Sequence, residues 1–304
     1  MKGKPDSRTL GDVQEYFCLP SPALVEKDWY VVQALAAIQE AKSDNLTLAF
    51  GGGTALGRAY GLLQRMSEDI DLRVIGDKAP PRPALKRLRR KVSDRLRERG
   101  FRVEAGHLTV QHNDTYVRYD LPYDPIMRGE RILRPEIKIE ISAFPTRRQL
   151  TQRPVTSFVA EANKVGPEIP EIACVNLVEI AAEKFVALTR RSGAAFAGLK
   201  ELDSTLPRHV YDLSRLDGQY DAEDAARLAL ETMREDATTR GADFPAYQVD
   251  PLAETLRAVD TMTSHCDFMA HYSTLMKDMV YGEQPRFEDA MAVVRGIADR
   301  IAGN

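Results

Sequence analysis

Residues 49–73 read AFGGGTALGRAYGLLQRMSEDIDLR, and the architecture of the front half of the chain follows from this stretch. An apolar strand runs into three glycines, Gly51 to Gly53, and a short helix follows from Thr54. Further on, Ile70, Leu72 and Val74 alternate with polar residues, which is the period of a second strand. Because side chains two apart on a strand share a face, Asp69 and Asp71 project from the same side of it.

This order of turn, helix and strand favours one kind of chemistry. Glycines allow the backbone to approach phosphate oxygens, and amide groups at the start of a helix attract anions, to which Thr54 adds a hydroxyl. Two carboxylates about 6 to 7 Å apart along one strand suit divalent metal ions. A glycine turn alone has a steric explanation, and an isolated Asp-x-Asp is typical of a solvated edge. Their combination predicts transfer of a nucleotidyl group from an NTP, with Mg²⁺ or Mn²⁺ held by Asp69 and Asp71.

A third carboxylate is expected from a later strand. Residues 136–141 read EIKIEI, so that Glu136, Lys138 and Glu140 share one face and the isoleucines the other. Glu140 is therefore predicted as the third metal ligand and catalytic carboxylate. The predicted nucleotide-binding residues are Gly52, Gly53, Thr54, Arg65, Ser67, Lys138 and Lys184. For Arg65 a surface role explains the sequence as well.

The composition indicates an ordinary globular protein of two domains. The chain has 304 residues, of which 43% are hydrophobic and 29% charged, and a formal net charge of −3. It has neither an apolar run near the ~20 residues that span a bilayer nor a signal-peptide pattern, so no membrane partner and a cytoplasmic location are expected. Three widely spaced cysteines argue against a disulfide framework and against structural zinc.

The periodicity places a sheet with helices in the front half. A helix is expected from Pro22 to about Asp44 and Asn45, and an amphipathic helix over 86–99 with an apolar stripe. After Gly100 the stretches FRVEAG, LTVQH and TYVRYDL are strand-like. Prolines interrupt residues 145–170, and the remainder is helical in pattern, beginning at Asn176 with LVEIAAEKFVALTRR. The predicted fold class is α+β, with a mixed-sheet domain over 1–165 and a helical domain over 166–304.

The amphipathic helix is strongly basic. Eight lysines and arginines between Lys86 and Arg99 outnumber Asp94 and Glu98, and Arg128, Arg131 and Arg134 follow. This asymmetry predicts a face that binds polyanions such as RNA. A solvated helix face explains the same charges equally well.

At this point the chain resembles a known family, the AbiEii-type (MenT-like) nucleotidyltransferase toxins of type IV toxin–antitoxin and phage-defence systems. The matching segments are VEKDW (25–29), GGTAL (52–56), SEDIDL (67–72), IKIE (137–140), EK (183–184) and RHVYDL (208–213). The resemblance implies a DNA-polymerase-β-like nucleotidyltransferase domain followed by a helical domain. It also implies that Lys184 contacts the triphosphate and that Asp212 is an essential acidic residue from the helical domain. The glycine-to-aspartate interval is slightly longer than usual, and Glu140 stands where aspartate is common in the wider superfamily.

The resemblance further implies a toxin that adds NMP to the tRNA 3′ end, which blocks translation, and a cognate antitoxin as partner. The residues alone leave other readings open: a small-molecule acceptor, a protein hydroxyl, or a non-catalytic nucleotide-binding module. Likewise Lys184 could be a surface lysine, and Asp212 could cap its helix or pair with Arg208 or Arg215. With Lys184 and Asp212 included, the expected active site is a cleft between the two domains.

Overall fold

The structure is a computed structural model that describes residues 1, 3–43, 45–76, 78–127, 133–240 and 243–303. The chain divides into two compact units, Met1–Val175 and Asn176–Asn304. The division lies later than residue 165, where the sequence places it, because a strand of the sheet occupies residues 169–174.

The first unit is a mixed sheet with helices. In its described residues the helices are α1 (Ser7–Tyr16), α2 (Pro22–Gln39), α3 (Gly52–Arg58), α4 (Arg82–Arg99) and α5 (Phe158–Ala162). The strands are β1 (Thr47–Gly51), β2 (Asp69–Ile75), β3 (Leu108–Gln111), β4 (Tyr116–Pro122), β5 (Glu136–Ser142), β6 (Thr151–Val155) and β7 (Ile169–Cys174). They form one sheet in the order β3-β4-β5-β2-β1-β7-β6. β2 is antiparallel to β1 and parallel to β5, so the strands that carry the predicted site are neighbours at the centre.

Apolar and polar residues alternate along the strands, and this alternation gives the sheet one buried face and one polar face. Along β2, β4 and β5 every second residue is buried, and the intervening polar residues are half-buried. The buried face packs in one core with α2 and α4, and the stripe of α4 is buried as predicted at Leu85, Leu88, Val92 and Leu96. The opposite face of the central strands keeps its polar side chains accessible, and this is the face that holds the predicted site.

Three boundaries differ from the sequence predictions. α2 ends at Gln39, and Asp44 lies outside the described residues. FRVEAG forms no strand, and within it the carbonyl of Val103 accepts from the guanidinium of Arg97 instead of from a neighbouring strand. Strands β6 and β7 lie in the proline-rich stretch. β6 tolerates Pro154 because it is an edge strand, where no second neighbour requires the missing N–H.

The second unit is helical in its described residues, which confirms the predicted fold class. Asn176 caps the first helix by accepting from the amide of Val178, as the sequence predicts. None of the helices in the described part of the chain is long and apolar enough to cross a membrane. The helices are α6 (Leu177–Phe196), α7 (Pro207–Leu216), α8 (Ala222–Arg240), α9 (Pro245–Val249), α10 (Pro251–Met262), α11 (Cys266–Met279) and α12 (Phe287–Gly303).

Candidate active site

The predicted carboxylates lie side by side on the polar face of the central strands. In the parallel ladder between β2 and β5, Asp69 is opposite Lys138 and Asp71 is opposite Glu140. In the antiparallel ladder between β1 and β2, Asp71 is opposite Gly51. Because neighbouring strands are about 4.8 Å apart, this register places the three acidic residues at adjacent positions on one face of the sheet.

The glycine turn is pressed against these carboxylates. Gly52 has a φ of +69°, and a Cβ atom placed on it would lie 1.9 Å from Oδ2 of Asp71. A Cβ on Gly53 would lie 2.7 Å from Nη2 of Arg65 and 2.9 Å from Oγ of Ser67. The glycines are therefore required sterically, and the groups that require them are the predicted site residues themselves. The steric need for glycine and the predicted phosphate-binding role of the turn therefore concern the same residues.

Thr54, Ser67 and Arg65 support the turn from within the protein. The hydroxyl of Thr54, 2% exposed, donates to the carbonyl of Asp69 and lies 2.9 Å from Oγ of Ser67. Arg65 is only 6% exposed and donates to the carbonyl of Met66 at 2.8 Å, so the surface reading of this arginine is wrong. What these contacts establish for Thr54 is a positioning role, in which it fixes the backbone of the first aspartate.

Lys138 lies between the carboxylates. Its Nζ atom is 2.6 Å from Oε1 of Glu140 and 4.0 Å from Oδ2 of Asp69. Burial lowers the pKa of Lys138, but the hydrogen bond to Glu140 and the charges of Asp69, Glu140 and Asp71 outweigh it, so the pKa is raised above its usual value. The carboxylates therefore create a field that already attracts a cation.

Tyr116 on β4 is a site neighbour that sequence reasoning missed. Burial first, and then the charge of Glu140 and a hydrogen bond to it, raise the pKa of the Tyr116 phenol. The phenol therefore stays protonated near pH 7 and stabilises the third carboxylate. The available signal was the alternation in TYVRYDL, which places Tyr116 on the polar face.

The donor set fits a hard divalent cation in part. Asp69 and Asp71 offer carboxylate oxygens, the ligands that Mg²⁺ prefers, and their field already holds an ammonium group. Across the residues that the structure describes, no three metal-ligating side chains are already clustered. Oε1 of Glu140 is in contact with Lys138, so this oxygen becomes available to a cation only when that contact opens.

The charged residues of the VEKDW segment, Glu26, Lys27 and Asp28, are buried in α2, and the sequence predicts no role for them. Glu26, 1% exposed, accepts from the amides of Ile126 and Met127. Asp28 accepts from the amide of Phe158 and pairs with Arg58. Burial raises the pKa of Asp28 despite the opposing charge of Arg58.

Lys184 and Asp212, from the second unit, pair with each other. Nζ of Lys184 lies 2.6 Å from Oδ2 of Asp212, and the two side chains are 9% and 0% exposed. The reading of Lys184 as a surface lysine is therefore wrong. That Lys184 contacts the triphosphate and that Asp212 is essential remain predictions.

Replacing Lys184 with Met is expected to destabilise the second unit. It removes the positive charge beside a fully buried carboxylate, which costs about 3 kcal/mol of unfolding free energy. Lys200→Met is the control, because its pair with Asp243 is exposed and contributes less than about 1 kcal/mol. Urea unfolding measures both. Equal, small effects would show that the pair between Lys184 and Asp212 is not a stabilising contact.

On the mixed sheet a glycine turn lies beside an Asp-x-Asp strand and a glutamate strand, and helices follow the sheet. This arrangement is the one expected of a protein in the nucleotidyltransferase class. The family described as "Nucleotidyl transferase AbiEii toxin, Type IV TA system" matches residues 33–293. The chain belongs to this family of nucleotidyltransferase toxins of type IV toxin–antitoxin systems, which confirms the resemblance noted in the sequence.

A solved structure agrees with this assignment at the level of the fold. The chain is similar to MenT4, a nucleotidyltransferase toxin from Mycobacterium tuberculosis H37Rv, with a TM-score of 0.63 and 16% sequence identity. The match covers 97% of this chain and 90% of that one. At this identity the likeness shows a shared fold. A comparison with curated proteins gives no match.

Proposed function

We propose that this protein transfers NMP from an NTP to the 3′ hydroxyl of tRNA, releasing pyrophosphate and so blocking translation. The observation that supports it most is the register that brings Asp69, Asp71 and Glu140 onto one face beside the turn at Gly52. Membership of a toxin family supports a cognate antitoxin as partner. An RNA acceptor of this kind also supports action in the cytoplasm.

The roles of the individual residues follow from their positions. Asp69 and Asp71 would hold Mg²⁺ or Mn²⁺, which neutralises the triphosphate and lowers the pKa of the attacking hydroxyl. The backbone amides of the glycine turn would donate hydrogen bonds to the phosphate oxygens, because glycines carry no side chain that would screen them. If Glu140 bound the cation instead of Lys138, the ammonium group of Lys138 would become available to a phosphate oxygen. Lys184 would add positive charge for the leaving phosphates, with Asp212 orienting its ammonium group.

The acceptor is supported by the basic helix α4, whose charges the structure divides into two groups. From Lys86 to Arg99 four arginines are paired with acidic residues, and Lys91 donates to the carbonyl of Lys42. Arg82, the first residue of the helix, also pairs with Asp114. Lys86, Arg87 and Arg90 are exposed and have no ion pair with another described residue. Arg128 and Arg131 lie outside the described residues. The paired arginines are Arg89 with Asp114, Arg95 with Glu98, Arg97 with Asp94 and Arg99 with Glu40.

Neutralising the three exposed cations is expected to weaken RNA use without affecting chemistry. For the triple variant K86A/R87A/R90A we expect KM for RNA to rise about tenfold and the slope of log affinity against log salt to fall by about 3, because three phosphate contacts are lost. Arg95→Ala and Arg97→Ala are the controls, since both guanidinium groups already have acidic partners. An unchanged salt slope in the triple variant would identify this face as merely solvated.

The reaction itself is tested by incubating the purified chain with each labelled NTP and total RNA, followed by gel separation. Label in tRNA that depends on Mg²⁺ supports the proposal. Label only in protein or in a small molecule would refute the RNA acceptor. If no NTP and no acceptor gave metal-dependent pyrophosphate release, the protein would instead be a non-catalytic nucleotide-binding module.

A further inference from the structure

One buried lysine makes contacts that the proposed reaction does not use. Lys27 in α2 is 1% exposed, and its Nζ atom lies 3.0 Å from Oε2 of Glu68 and 2.8 Å from the carbonyl oxygen of Arg134. It also donates to the carbonyl of Glu136. An ammonium group has three N–H donors; two of them go to these carbonyl oxygens, and the carboxylate of Glu68 balances the charge as an ion-pair partner.

These partners lie at the starts of the two strands that carry the carboxylates. Glu68 immediately precedes Asp69, the first residue of β2, and Glu136 is the first residue of β5. The ladder between the two strands begins with Asp69 opposite Lys138, so Glu68 and Glu136 lie before its first pair. At this end the backbone ladder does not join the strands, and Lys27 supplies the cross-link.

The burial of Lys27 gives this cross-link its rigidity. A charge that is removed from water is costly unless its partners are held in place, so the surrounding oxygens are fixed as well. The ring of Tyr123, whose centroid is 5.6 Å from Nζ, adds a cation–π contact on a further side. A hydrophobic residue at position 27 could fill the space, but it could not fix the two strand ends relative to each other.

We propose that Lys27 is a positioning residue that sets the separation between Asp69 and Asp71 on β2 and Glu140 on β5, and thereby the affinity for the divalent cation. This inference rests on the proposed function, because it assumes that these carboxylates bind the cation. Groups that orient metal ligands without touching the metal typically change metal affinity by about 10- to 100-fold when they are removed.

The test compares Lys27→Met, Lys27→Arg and Glu26→Gln in the full chain. Glu26 is the matched control, because it is equally buried on the same helix and its contacts go to the amides of residues 126 and 127 and to Lys4, away from the starts of β2 and β5. The primary measurement is Mn²⁺ binding followed by electron paramagnetic resonance, which does not depend on turnover. Urea unfolding and the Mg²⁺ dependence of transfer are measured on the same proteins.

We expect Lys27→Met to weaken Mn²⁺ binding at least about tenfold, Lys27→Arg to restore part of it, and Glu26→Gln to leave it unchanged. Glu68→Gln removes the negative charge that pairs with Lys27, at a partly exposed position, and it serves if Lys27→Met does not fold; a weaker Mn²⁺ affinity is again expected. Affinities of Lys27→Met, or of Glu68→Gln in its place, within twofold of wild type would overturn the inference, as would an equal loss in Glu26→Gln. A wild-type chain that binds no Mn²⁺ would instead overturn the proposed function.

Discussion

Replacing Asp69 with Ala is expected to reduce nucleotidyl transfer at least about a thousandfold, because it would remove a ligand of the proposed metal ion, which would supply several kcal/mol of transition-state stabilisation. The side chain is 36% exposed, so the fold should tolerate its removal. We expect a change in unfolding free energy within about 0.5 kcal/mol, as is usual for partly exposed substitutions away from caps and buried pairs. Single-turnover transfer of labelled NMP and urea unfolding measure the two quantities.

Asp120→Ala provides the matched control for this variant. Asp120 lies opposite Lys138 in the ladder between β4 and β5, and its carboxylate is already paired with Arg118. It belongs to the same polar face but not to the carboxylates beside the glycine turn, and it should retain transfer. Retained transfer in Asp69→Ala, or equal losses in both variants, would refute the assignment of Asp69.

Replacing Gly52 with Ala is expected to abolish transfer for a different reason. Its φ of +69° disfavours any residue with a Cβ atom, and the added methyl would lie 1.9 Å from Oδ2 of Asp71. The side chain of the second aspartate must therefore move away from its position beside the turn. We expect a loss of activity comparable with that of Asp69→Ala, together with destabilisation of more than about 1 kcal/mol.

Gly61→Ala separates the two causes. Gly61 has a nearly identical φ of +68°, but a Cβ atom there would meet nothing within 4 Å. It should show the backbone strain of about 1 to 2 kcal/mol without loss of transfer. Should Gly61→Ala and Gly52→Ala lose activity to the same extent, backbone strain rather than the contact with Asp71 would be the cause.

Much of the fold was predictable because the burial of a strand or a helix follows from the pattern of residues within that element. The alternation along residues 69–75 and 136–142 reports which face of a strand is buried, and the stripe of α4 reports the same for a helix. Strands β6 and β7 and the irregular course of residues 101–104 were not predictable in this way. Their conformation depends on partners distant in sequence: β7 pairs with β1. Such pairing leaves little periodic signal in a proline-rich stretch.

The sequence alone indicated the chemistry that we propose for the site, through the residue types and spacing of the glycine turn, Asp69, Asp71 and the strand of Glu140. Their arrangement was decided by the tertiary structure. The register sets Asp71 beside Glu140, Thr54 turns inward to hold Asp69, and Lys138 bridges the carboxylates. The physical reason is that periodicity fixes which way a side chain points, whereas distances between strands depend on contacts across long loops. Lys27 shows this most clearly, since its carbonyl partners are more than a hundred residues away along the chain.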